Sequence, residues 1–301
     1  MIQKDMFNLE DWKERIGTRV TKTAFLGELK QVEDYFVDGC IKRGLDAVYD
    51  ITADENPDFK TMGYTEWASS FIAYPLNNNL RRDMITDAEL DDVEVIDFSS
   101  YFDSVIESNN ANKYTDRQKP RQIPRKNLVV LVGSNVMREI VSLVKLVEIK
   151  DRGDVYFKPH PLTTHEIIGI MKDNLGEENV LPRDLDMYHF LNGAEKVYGT
   201  YYTEAMLYAS VQEKDIETIE LRHRGERAGF FHLNRWLFRL KGDKRNRINK
   251  MLSSPYSGVF NPRVDKDWKN KVDLFLNYMM EQKEFFNGWY IDEKKDDDSK
   301  K

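Results

Sequence analysis

From residue 127 onward, short apolar runs of strand length alternate with stretches whose apolar positions recur at helical spacing. That alternation is the signature of βαβ units built around a parallel sheet. Residues 127–133, NLVVLVG, form a near-continuous apolar run suited to a strand buried on both faces, and Met137, Ile140, Val144 and Val147 then share one helical stripe. Residues 154–158 predict a second strand, which runs straight into Pro159-His160-Pro161. Thr163 or Thr164 caps a helix carrying Ile167, Ile168, Ile170 and Met171, a short strand follows near Val180, and a helix covers 187–191. Residues 196–199 predict a fourth strand that leads through a polar turn into a helix at 204–209, and 217–221 close the series as a fifth.

The first half shows less order. Phe25, Leu29, Val32 and Phe36 mark one amphipathic helix, while 47–51 and 93–98 read as strands. Near the end, Val272, Phe275, Leu276, Met279 and Met280 fall at helical spacing and predict a core-facing stripe.

Composition supports real cores and excludes global disorder: 41% of the 301 residues are hydrophobic and 12% aromatic, enough for one large or two modest domains. A single cysteine, Cys40, rules out an internal disulfide and a cysteine-cluster zinc site, and fits a reducing compartment. The first residues lack the apolar core of a signal peptide, and no run approaches the roughly 20 apolar residues of a membrane span. The expectation is a soluble, cytoplasmic protein of a bacterial or phage-infected host cell.

Charge changes this picture because it is uneven. The formal net charge of -7 excludes a general basic coat for nucleic acid. Residues 1–112 nevertheless carry 11 basic and 23 acidic side chains, 113–126 carry 6 and 1, and 222–250 carry 10 and 2. The segment 113–126, with Pro120, Pro124 and no periodicity, reads as a basic linker. The expected division is therefore an N-terminal domain at 1–112, that linker, a C-terminal domain at 127–285 and a disordered charged tail at 286–301.

In open parallel sheets ligands bind outside the carboxyl ends of the strands. Three segments fall there: Gly133-Ser134-Asn135, Lys158-Pro159-His160-Pro161 and 199–204, which holds Gly199, Thr200, Tyr201, Tyr202, Thr203 and Glu204. Hydroxyls, a backbone rich in free N–H groups and one imidazole together make a metal-free cradle for a nucleotide monophosphate or diphosphate. Taken singly, each residue also has a structural reading: the glycines as strand-end turns, the threonines as helix caps, His160 as part of a rigid bend. His165, His189, His223 and His232 show no metal-ligand spacing, so no metal site is expected.

The ordered series VYFKPHP, a leucine-bearing helix and EKVYGTYYTEAMLYAS resembles the donor-binding domain of GT-B fold glycosyltransferases, with the nearest look to the bacterial sialyltransferase, Kdo-transferase and capsule-polysaccharide group. On that resemblance His160 and Pro161 match the HP motif, Thr200 takes the hydroxyl position, and Glu204-Ala205 begins the following helix. The sequence departs from the usual Ser/Thr pair, with Gly199 before Thr200 and Tyr201 and Tyr202 after it. The resemblance implies two Rossmann-like α/β domains facing a cleft, with the last helix packing back on the first domain. It implies an inverting, metal-independent transfer of a sugar from a UDP- or CMP-linked donor to a hydroxyl of a polymeric acceptor, with no further cofactor. Ser134, Asn135, Lys158, His160, Thr200, Tyr201, Tyr202, Thr203 and Glu204 would hold the donor, His160 would stabilise the leaving phosphate, and an N-terminal carboxylate would be the base. Asp50 and Asp97 are the candidates at predicted strand ends.

The block 222–250 has two readings. Phe230, Phe231, Leu233, Leu237 and Leu240 can face a core while the basic residues face water. Alternatively Arg222, Arg224, Arg227, Arg235 and Arg239, interleaved with Trp236 and Phe238, form a track for an acidic glycan or DNA. Bacteriophage enzymes that glycosylate hydroxymethylated bases in DNA share the GT-B architecture, an analogy of fold and not of motif. Two other functions stay open at this level: a sugar-nucleotide epimerase of GT-B-like fold, and a non-enzymatic nucleic-acid-binding protein.

Overall fold

The computed structural model describes residues 23–45, 47–48, 59–62, 70–75, 78–108, 120–220 and 231–298. The chain is α/β and holds two four-stranded sheets among the described residues.

The second sheet is the one the apolar runs predict. Strands β4 (Asn127–Val130), β5 (Val155–Lys158), β6 (Lys196–Gly199) and β7 (Asp215–Thr218) lie in the order β5-β4-β6-β7, all parallel. Val180 adds a single parallel bridge to Phe157 on the outer side of β5, where a short strand is expected. In chain order the arrangement is third, second, first, fourth, fifth, so the chain leaves β4 to one side and returns to the other. The crevice between the carboxyl ends of β4 and β6 is the topological switch point. Val129, Phe157 and Val197 are fully buried, as strands covered on both faces require.

The helix expected to run on from β4 is two: α4 (Ser134–Ile140) and α5 (Leu143–Asp151). Val141 is extended and bridges Glu220, and the Ser142 hydroxyl caps α5 by accepting from the Val144 N–H at 3.2 Å. A β-branched residue before a strong capping residue breaks the helix despite the continuous stripe. Thr164 caps α6 (His165–Leu175), Asp186 caps α7 (Met187–Gly193), and α8 (Ala205–Val211) is buried along its whole length.

The first sheet departs from expectation. Strands β1 (Ala47–Val48), β2 (Phe59–Met62) and β3 (Phe71–Pro75) pair in sequence with β8 (Val259–Phe260), and only β1–β2 is parallel. A second Rossmann-like unit is therefore not what these strands form. The connection from Met62 to Phe71 is shorter than the dozen or so residues a parallel crossover needs. Residues 93–98 are not a strand either. Residues 91–97 form a loop between α2 (Asn78–Leu90) and α3 (Phe98–Ser108), Phe98 opens that helix, and the Ile96 N–H is spent on the Ser253 hydroxyl at 2.8 Å. With no ladder partner among the described residues, alternation of period two is not enough to make a strand.

Sheet membership cuts across the chain order, since β8 joins the first sheet from within 127–285. The last helix, α11 (Trp268–Asp298), follows it, and Val272, Phe275, Leu276 and Met279 share a core with Leu29, Val32 and Phe36 of α1 (Thr23–Arg43). Tyr35 and Arg43 of α1 both bond Asp273, at 2.6 and 3.0 Å. The approach is close enough that a Cβ on Gly39 would meet Leu276 Cδ1 at 2.5 Å. Lys271, on the buried side of this helix's first turn, donates through its ammonium to the carbonyls of Leu252 and Val259, and burial pushes it down to about 8. Helical backbone continues to Asp298, through the stretch expected as a disordered tail from residue 286.

The block 222–250 contributes α9 (Phe231–Leu237) and α10 (Lys244–Ser253), while residues 221–230 lie outside the described ones. Ile85 and Ala88 of α2, Phe98 and Phe102 of α3, Leu233 and Leu237 of α9 and Ile248 and Leu252 of α10 join Leu128, Val197 and α8 in one core. His232 is buried at this seam. Burial pushes its imidazole down to about 4, and the guanidiniums of Arg81, Arg235 and Arg82 reinforce the shift. A histidine whose folded pKa is depressed contributes stability that is complete above pH 6.5 and lost as pH falls toward 4. The urea midpoint should therefore drop between pH 7 and pH 4.5 by the equivalent of about 2 kcal/mol. A His232→Gln variant whose midpoint falls as steeply would show that other groups carry the acid lability.

Candidate functional site

The carboxyl edge of the parallel sheet gathers the loops after β4, β5, β6 and β7. After β5 the chain makes a tight turn through His160. The Thr163 N–H donates to the His160 carbonyl at 2.9 Å, and the Leu162 N–H donates to His160 Nδ1 at 3.1 Å. A ring nitrogen that accepts from an amide has no proton, so the neutral imidazole carries its hydrogen on Nε2. The turn thus fixes His160 as a donor through Nε2 at a half-exposed position on the sheet edge.

Lys158 lies directly beneath. Its side chain is buried, and its amine donates to the Pro159 carbonyl at 2.7 Å and to the Arg183 carbonyl at 2.8 Å. The structure therefore places this expected donor ligand inside the scaffold of the turn.

After β6, Thr200 and Thr203 build a second turn. Thr203 Oγ1 accepts from the Thr200 N–H at 3.1 Å, Thr200 Oγ1 accepts from the Tyr202 N–H at 3.2 Å, and the two hydroxyls lie 3.0 Å apart. Both threonines are buried, so their hydroxyls are committed to the shape of the loop. The Tyr201 N–H donates to Glu220 Oε2 at 2.9 Å, tying this turn to the chain after β7. Asn234 of α9, fully buried, donates through Nδ2 to the carbonyls of Tyr201 at 2.9 Å and Thr203 at 3.2 Å. The Tyr201 ring stands edge-on to Phe231 and Phe238, and Tyr202 tilts against Phe231. Glu204 occupies the position before α8 without a side-chain cap bond, half-buried. Gly199 ends β6 beneath Met206, whose Cε would lie 2.6 Å from an added Cβ.

Ser134 and Asn135 open α4 at the same edge, but their side chains lie outside the described ones. Asp50, Arg222, Arg224 and Arg227 lie outside the described residues. Asp97 precedes α3 and accepts from the Ser100 N–H at 3.1 Å, the Ser100 hydroxyl and Asn249 Nδ2 at 3.3 Å. The Ser100 bonds hold its carboxyl below the usual carboxylate range. It acts as a helix cap. Arg235 is half-buried and Arg239 exposed on and after α9.

Part of the positive charge in the block is answered within the molecule. Arg247 pairs with Glu89, which also accepts from Trp236 Nε1 at 2.8 Å, and Arg245 reaches Asp103 at 2.9 Å. These carboxylates belong to α2 and α3, in the strongly acidic first third of the chain.

Sequence reasoning missed Asn234, Glu220 and Arg183. Only Asn234 left a signal, as a short polar side chain inside the apolar run FFHLNRWLF.

No protein-family model and no curated protein matches the chain. Among solved structures it is similar to KpsC of Thermosulfurimonas dismutans, a beta Kdo 2,7 transferase, at 14% sequence identity and a TM-score of 0.39, with 81% of this chain and 87% of that one covered.

Proposed function

We propose that the protein is a glycosyltransferase that binds a nucleotide-activated sugar, UDP- or CMP-linked, at the carboxyl edge of the parallel sheet. The observation that carries this reading is a switch point flanked by two turns with fixed roles. On one side His160 is held as an Nε2–H donor; on the other, the Thr200–Thr203 turn sits where β6 hands over to α8. A phosphate oxygen is acceptor only, so a pinned imidazole N–H is a suitable partner. In this reading Thr200 and Thr203 shape the loop, and Tyr201, Tyr202 and Glu204 are assigned to the base and ribose. No group needs to be oxidised or reduced, and we assign no catalytic base, because Asp97 is engaged as a cap.

The acceptor class is a polymer hydroxyl. The Arg245–Asp103 and Arg247–Glu89 pairs use part of the positive charge of 222–250 internally, which favours a glycan over DNA.

Calorimetric titration with UDP, CMP and their sugar conjugates tests the proposal. One of the two nucleotides should bind, and His160→Ala should weaken it by about 1.5 to 3 kcal/mol, the contribution of a hydrogen bond to a charged group. Absence of binding by all four ligand types, or an alanine variant that binds as the wild type does, would remove the basis for this assignment.

A further inference from the structure

The segment that carries His160 is fastened by two cationic side chains, Lys158 and Arg183. Lys158 grips the first residue of the turn through the Pro159 carbonyl and, with the same amine, the carbonyl of Arg183. Arg183 returns the contact: its Nη1 donates to the Thr163 carbonyl at 2.6 Å, and its Nη2 lies 3.4 Å from His165 Nε2. Residues 159 to 165 are thereby held at both ends by one pair, and the pair is anchored to the sheet where the Leu181 N–H donates to the Phe157 carbonyl at 2.9 Å. A lysine with 3% exposure whose amine donates to two carbonyls has given up its hydration for geometry. A lysine sent out to meet a ligand would not be placed so.

We infer that Lys158 and Arg183 are positioning residues that hold the His160 turn, and with it the Nε2–H tautomer, in the geometry that meets a phosphate. This rests on the nucleotide-binding reading of the edge; it moves Lys158 from ligand to support and adds Arg183, both acting on the ligand through His160. The causal chain is short. The bond from the Leu162 N–H to Nδ1 requires the turn to stay closed, and the carbonyls of Pro159 and Thr163 are the two points at which the turn is tied down. Release of the Thr163 end lets the turn open, the Nδ1 bond is lost, and the imidazole is free to exchange its proton between the two nitrogens.

Two readouts on the full chain separate this role from general stability. Nitrogen-15 correlated NMR of the histidine side chains reports the His160 tautomer without any ligand, and calorimetry with UDP and with CMP reports the site. Wild-type His160 should show the Nε2–H form alone. Arg183→Gln should show a mixture of tautomers and bind the nucleotide on the order of tenfold more weakly, while melting close to wild type. Arg183→Lys, which keeps a donor toward Thr163, should recover most of the binding. Lys158→Met should act in the same direction, and because that side chain is buried the half-buried Arg183 carries the test if the lysine variant does not fold. An Arg183→Gln protein with a single Nε2–H tautomer and unchanged nucleotide affinity would overturn the inference. If wild type binds neither nucleotide, the functional proposal fails by itself, and the tautomer decides the clasp: a mixture in Arg183→Gln upholds it, an unchanged ring refutes it.

Discussion

Replacing Glu89 by alanine should lower the stability of the protein by about 2 to 3 kcal/mol, read as a shift of the urea midpoint at constant slope. One oxygen of Glu89 accepts from Trp236 Nε1 and the other takes the Arg247 guanidinium, so alanine strands two donors at once. Breaking a fully buried ion pair costs about 3 to 5 kcal/mol, but the Arg247 side chain is 38% exposed and water recovers part of that loss. A double-mutant cycle between Glu89→Ala and Arg247→Ala should give a coupling of at least about 1 kcal/mol that shrinks as salt is raised. A coupling near zero would mean that the pair follows the packing of α2 against α10 and does not reinforce it. The outcome also bears on the acceptor, since every arginine committed to a carboxylate of α2 or α3 is one fewer for a polyanion.

The largest backbone effect is expected at Gly258. This residue adopts the left-handed conformation, φ 65° and ψ 14°, and a Cβ there would stand 2.3 Å from the carbonyl oxygen of Ala73. The same residue accepts from the Ala73 N–H at 2.8 Å, so it cannot move away without unpairing β8 from β3. Left-handed strain of about 1 to 2 kcal/mol and overpacking of about 1 to 3 kcal/mol combine, and Gly258→Ala should cost about 3 kcal/mol. Gly242→Ala is the matched control. That glycine has φ 77° but nothing within 4 Å of a built Cβ, so only the strain applies and about 1 kcal/mol should be lost. Equal losses in the two variants would show that the Ala73 contact is not the deciding term.

The parallel sheet was legible because strands buried on both faces are continuous apolar runs, and β4, β5 and β6 fall within the predicted segments. What failed did so for local reasons. Val93 and Val95 alternate with acidic residues as a strand would, yet the segment is a loop whose Ile96 N–H finds the Ser253 hydroxyl of α10. The stripe from Met137 to Val147 is interrupted because Val141 bridges Glu220, a partner far along the chain that periodicity cannot see. At the site, strand-end loops and the His-Pro pair could be placed from the sequence, whereas the burial of Lys158 and of both threonine hydroxyls could not. The basic block was visible as a count of charges, but the carboxylates that answer it, Glu89 and Asp103, lie in other helices more than a hundred residues upstream.

The return of the chain to its first sheet sets the order in which the protein can be finished during synthesis. β3 receives its neighbour β8, and α1 its cover from α11, only after residues beyond 258 have been made, and the bond from Tyr35 to Asp273 spans 238 positions. The parallel sheet, complete by residue 218, can close while the ribosome is still at work. The half that emerges first is thus the half that matures last, and until then its buried aromatic face at Phe36 and Phe71 has no lid, which makes that interval the period of greatest exposure to aggregation.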